Sequence, residues 1–148
     1  MRFDPTPKQG VGEHKDSGVL PLLFVVPGKG GLQVEKDGAR IDALPLDGAF
    51  VVNIGELLEV ATDLYLNATV HRVISPLIGE DRISIPFFFG LVLDATIPLL
   101  TLPDELETPG IMADPENPIF TTCGENALQS RLRTRPDVAA IHYSDPAK

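Results

Sequence analysis

The sequence predicts a mainly β fold, a sandwich or barrel, followed by a C-terminal helix. Three observations carry that expectation. Glycine (13) and proline (14) are abundant among 148 residues. The apolar runs are short, rich in branched and aromatic residues, and punctuated by turns. Only two segments, GELLEVATD and TTCGENALQSRLRTRPD, have helical character. The length suits one domain, and a hydrophobic fraction of 43% suffices for a core.

Each element has a local reason. RFDPTP (2–7) reads as an opening or edge strand, because proline is confined to sheet edges. VGEHKD (11–16) follows as a strand, and SGVLPLLFVV (17–26) as a buried one. PGKGG (27–31) is a turn that lacks the Lys-Ser/Thr ending of a phosphate loop. GLQVEKDGARIDALPLDG (31–48) holds two strands around a Lys-Asp-Gly-Ala hairpin turn. AFVVNIG (49–55) reads as a buried strand and GELLEVATD (55–63) as a short helix. YLNATVHRVIS (65–75) returns to strand, and RISIPFFFGLVL (82–93) is a long apolar strand. From about residue 94 the chain turns acidic and proline-punctuated, which predicts extended segments and loops. Thr122 and Glu125 then have capping-box spacing, Leu128 and Leu132 share a face, and Pro136 is expected to end the helix. We therefore expect a core over 1–102 and a C-terminal extended segment and helix over 103–148.

Composition excludes several function classes. The formal net charge is −9, from 21 acidic and 12 basic residues. A nucleic-acid binder needs a basic face to displace counterions, so none is expected. A small anionic ligand remains compatible, since one arginine can grip a carboxylate. The longest apolar runs are too short to span a bilayer, and residues 1–20 carry charges and prolines instead of an apolar signal core. The single cysteine, Cys123, forms no intrachain disulfide. A soluble cytoplasmic protein is expected, with Asn67-Ala-Thr69 not glycosylated.

Chemistry gathers around three histidines, His14, His71 and His142. Alternation along a strand puts His14 and Asp16 on one face, about 7 Å apart along the backbone. His71 lies on a distant strand. Two histidines and a carboxylate can form the facial triad of non-haem iron sites, which keeps positions open. Arg82 and Ser84 again share a face, at i and i+2. A guanidinium fork and a hydroxyl would hold a carboxylate, and an arginine opening an apolar strand needs a partner. His142, in a polar tail, reads as a surface residue. Cys123 reads as unreactive, Phe87–Phe89 as core with one ring lining the pocket, and Arg131, Arg133 and Arg135 as a solvated helix face.

In chain order, HKD (14–16), AFVVNIGELLEVATD, NATVHRV and RISIPFFF resemble the 2-oxoglutarate/Fe(II)-dependent dioxygenases of the isopenicillin N synthase-like type. The resemblance spans roughly residues 1–95 and extends loosely into GENALQSRLRTRPDVAAIHY. It implies a double-stranded β-helix, or jelly roll. It implies Fe(II) bound by His14, Asp16 and His71, and 2-oxoglutarate held by Arg82 and Ser84. It also implies O2 as oxidant, succinate and CO2 as products, and a small organic substrate. Asn53 matches a common family position, which implies a role either behind the metal ligands or in the structure. Family members are usually about twice this length, the difference lying N-terminal. The tyrosine they often carry near the first strand has no counterpart in Met1–Pro5. Two other readings stay open: an isopenicillin N synthase-like oxidase that does not use 2-oxoglutarate, and a truncated, inactive metal-binding jelly roll that self-associates through an uncovered sheet face.

Overall fold

The computed structural model describes residues 9–77, 79–106, 120–134 and 136–143. They form two antiparallel sheets. One has the order β1 (Gln9–His14), β6 (His71–Ile74), β3 (Leu32–Lys36), β4 (Ala39–Asp42). The other has the order β5 (Val51–Val52), β2 (Leu20–Val25), β7 (Ser84–Phe89). Helix α1 (Glu56–Ala61) joins β5 to β6, and α2 (Cys123–Thr134) and α3 (Pro136–His142) close the chain. This is the jelly-roll class expected from the sequence. RFDPTP and Arg135 lie outside the described residues.

Local rules explain much of this. The β3–β4 hairpin turns through Asp37 and Gly38, both at positive φ (52° and 74°), as a tight two-residue turn requires. The strand expected over 11–16 stops at His14 instead. Two register shifts interrupt its pairing with β6, and the Asp16 and Gly18 carbonyls accept from the amides of Glu56 and Leu57 at 2.8 and 3.1 Å. The chain thus leaves the sheet to meet the start of α1. Gly55 makes that meeting close: a Cβ there would stand 2.0 Å from the Gly18 oxygen. Gly55→Ala is expected to cost about 3 kcal/mol, because only backbone movement relieves the clash. A urea midpoint within error of wild type would contradict this.

Two expectations need correction. AFVVNIG is not a buried strand: only Val51–Val52 pair as β5, and Val52 is exposed. RISIPFFF enters its sheet at Ser84, and Phe87–Phe89 are exposed instead of core. The cause is positional. Val25 is buried and lies opposite Ser84, so Ser84, Pro86 and Phe88 share its inner face, but cover reaches only the Ser84 end and Phe88 is 61% exposed there. Ile85, Phe87, Phe89 and Val52 lie on the outer face, which no described element covers. Helix α2 ends at Thr134 ahead of Pro136, as expected, and Pro136 also opens α3, where a fixed φ suits a first helical position.

The core sits beneath α1. Leu57, Ala61, Ile97 and Cys123 form its buried cluster, with Val19 and Leu58 packed against it. The C-terminal part joins it through a Thr96–Thr122 bridge and through Arg133, whose Nη2 lies 3.4 Å from buried Glu56. Arg133 is therefore more than a solvated residue. Thr122 does bond Glu125, through its side chain. No described helix is long and apolar enough to cross a membrane.

Candidate metal centre

The bulged β1–β6 ladder sets His14 directly opposite His71. Their rings meet with centroids 4.3 Å apart. Asp16, just past the end of β1, turns back to the same place: its Oδ1 lies 3.7 Å from His14 Nε2 and its Oδ2 lies 3.5 Å from His71 Nε2. One ligand atom from each of the three falls within 4.8 Å of the others.

The histidine tautomers follow from their neighbours. His14 Nδ1 lies 2.7 Å from the Gly12 carbonyl, and His71 Nδ1 lies 3.0 Å from the Thr69 carbonyl. Each Nδ1–H donates to the residue two before it, so each Nε2 keeps its lone pair for a cation. Asn53, on the inner face beyond β5, donates from Nδ2 to Asp16 Oδ2 at 2.8 Å. Its 3.3 Å approach to His71 Nδ1 is packing, since that proton already goes to Thr69. Asn53 thereby occupies one Asp16 oxygen and leaves Oδ1 the freer donor. Two neutral imidazoles and one carboxylate are a donor set that suits iron and leaves positions for other ligands.

Arg82 and Ser84 stand at the start of β7. Arg82 Nε donates to the Gly30 carbonyl at 2.9 Å, and its Nη1 donates to Ser84 Oγ at 3.0 Å. Its Nη2 is buried and meets no acceptor among the described residues. Burial lowers the Arg82 pKa from its ordinary value, the direction expected for a cation short of partners. An anion arriving there would satisfy the orphaned nitrogen. Gly31 must stay small beside it, because its φ is +105° and a Cβ would meet the Ile74 carbonyl at 2.7 Å.

Every candidate site residue is thus described, and the triad converges. His142 stands apart on exposed α3, as expected of a surface residue. Sequence reasoning missed the glutamates of α1. Glu56 and Glu59 are 2% and 4% exposed, although a short helix gives no sign that they face inward.

Residues 1–91 match the family model of the 2OG-Fe(II) oxygenase superfamily. The chain belongs to this superfamily. A 2-oxoglutarate-dependent dioxygenase, frbJ, of a Dothideomycetidae fungus is 36% identical over 88% of this superfamily member. A 1-aminocyclopropane-1-carboxylate oxidase of Dictyostelium discoideum is 40% identical over 67% of it. The chain spans 39% and 27% of those two relatives. Among solved structures, a Neurospora crassa protein in complex with alpha-KG and thymine superposes with a TM-score of 0.63 at 30% identity, over 86% of this chain and 38% of that one. The rice dioxygenase for auxin oxidation gives 0.62 at 31%, over 85% of this chain and 41% of its own.

Proposed function

We propose that this chain carries the metal and co-substrate site of an Fe(II)- and 2-oxoglutarate-dependent oxygenase. It oxidises a small organic molecule with O2 and releases succinate and CO2. The observation that carries the reading is the convergence of His14, Asp16 and His71 within 4.8 Å. His14 and His71 bind the ion through Nε2, and Asp16 through the oxygen that Asn53 leaves free. Bound Fe(II) supplies oxygen activation, driven by decarboxylation of the 2-oxo acid. Arg82 and Ser84 hold the far carboxylate of 2-oxoglutarate and so orient it toward the triad.

The test is product analysis under air with Fe(II), ascorbate and labelled 2-oxoglutarate. Succinate and CO2 should form in equal amounts, slowly without a primary substrate. Oxygen uptake with no succinate would favour an oxidase that does not use 2-oxoglutarate. No oxygen uptake and no succinate would contradict the reading.

Finer points of the proposal follow from composition and exposure. The net charge of −9 supports a small-molecule substrate over nucleic acid. A reducing cytoplasm suits both Fe(II) and the free, buried Cys123 thiol. The division into a core over 1–102 and a C-terminal extension over 103–148 is likewise proposed; in its support, Cys123 of the extension shares the buried cluster of Leu57 and Ile97.

Ile85, Phe87, Phe89 and Val52 are each more than half exposed on one face, and apolar patches of this kind favour self-association. Sedimentation velocity should show dimers or larger species at micromolar concentration, dispersed by Phe87→Lys. A wild-type chain that stays monomeric over that range would contradict it.

A further inference from the structure

We infer that Glu59 is a positioning residue that fixes the spacing between the two halves of the candidate metal centre. The inference rests on the proposed metal site. One half is the His14-Lys15-Asp16 turn, and the other is the segment that leads into β6 and His71. They are 55 residues apart in the chain, taking the interval from Asp16 to His71. The Glu59 carboxylate touches both.

Lys15 lies between two triad members, and its side chain points away from them toward α1. Its Nζ lies 3.3 Å from Glu59 Oε1 and 3.4 Å from Oε2. The same Oε1 accepts the amide of buried Ala68 at 3.0 Å. Ala68 immediately precedes Thr69, the residue whose carbonyl orients the His71 ring. Glu59 therefore bridges the turn bearing His14 and Asp16 to Ala68, the residue next to the one that sets the His71 tautomer.

The arrangement is costly to keep for packing alone. Glu59 is 4% exposed, and a buried carboxylate is tolerated only when paired and hydrogen-bonded. An apolar residue at this position of α1 would carry no such penalty. What the carboxylate adds is a fixed distance. It anchors Lys15 through both oxygens and Ala68 through one, while the start of α1 holds the Asp16 carbonyl. A metal site tolerates little drift of its donors, so such outer contacts tune affinity.

The test is anaerobic Co(II) titration, followed by the visible d–d band, on wild type, Glu59→Ala, Glu59→Gln, Lys15→Met and the double variant Lys15→Met/Glu59→Gln. Folding is checked by far-UV circular dichroism and urea midpoints. Glu59→Ala should weaken Co(II) about tenfold to a hundredfold and alter the band. Glu59→Gln and Lys15→Met should each weaken it by at least about threefold, the double no further than the worse single. Glu59→Gln keeps the acceptor for Ala68, so it serves if the alanine variant does not fold.

Variants that lose stability but bind Co(II) within about threefold of wild type would overturn the inference, since a purely structural role predicts that pattern. Wild type that binds no Co(II) would instead overturn the metal site itself, and the inference with it.

Discussion

His71→Ala is expected to lose Fe(II) binding at micromolar metal. His71 supplies one of three donors, and His14 and Asp16 sit on one short turn that cannot close around the opposite side of an ion. Altering contacts behind a ligand already costs about tenfold to a hundredfold in affinity, so losing the ligand costs more. The substitution should leave the fold intact. His71 is partly buried, and β6 keeps its pairing with β1 and β3 through the backbone. Anaerobic equilibrium dialysis checks the outcome. Binding within tenfold of wild type by a folded His71→Ala would place the metal elsewhere.

Arg82→Met is expected to separate co-substrate binding from stability. Two charge-assisted hydrogen bonds to a carboxylate contribute about 3 kcal/mol, so the Kd for 2-oxoglutarate should rise roughly a hundredfold with Fe(II) binding unchanged. The metal-free protein should keep its urea midpoint. The wild-type guanidinium is partly desolvated and already has a buried nitrogen without an acceptor among the described residues, and a methionine of similar reach removes that strain. Arg82→Lys should not restore affinity, because a point charge replaces a planar fork. Calorimetry with 2-oxoglutarate in the presence of Fe(II) measures both variants. A Kd within threefold of wild type would remove Arg82 from the co-substrate site.

Much of the candidate site was legible because it rests on short-range pattern. His14 and Asp16, and Arg82 and Ser84, are two residues apart, and each pair stays together although β1 ends two residues before Asp16 and β7 begins two residues after Arg82. The Asp37-Gly38 turn was legible because so few residue pairs accept positive φ in succession. What stayed hidden depends on contacts distant in sequence. Nothing in VGEHKD says that β1 ends at His14; the amides of Glu56 and Leu57 draw the chain off the sheet. The PFFF run reads as core by composition, yet its exposure depends on what covers the outer face. Lys15 and Glu59 each look like solvated charges on their own segments. Only the fold brings them within 3.3 Å.

The central claim is that His14, Asp16 and His71 hold an iron to which 2-oxoglutarate binds beside Arg82. The direct measurement is the anaerobic visible spectrum of the protein with one equivalent of Fe(II), before and after 2-oxoglutarate. A weak metal-to-ligand charge-transfer band should appear only when both are present and be absent from His71→Ala. No band from folded wild type, or an equal band from His71→Ala, would contradict the account.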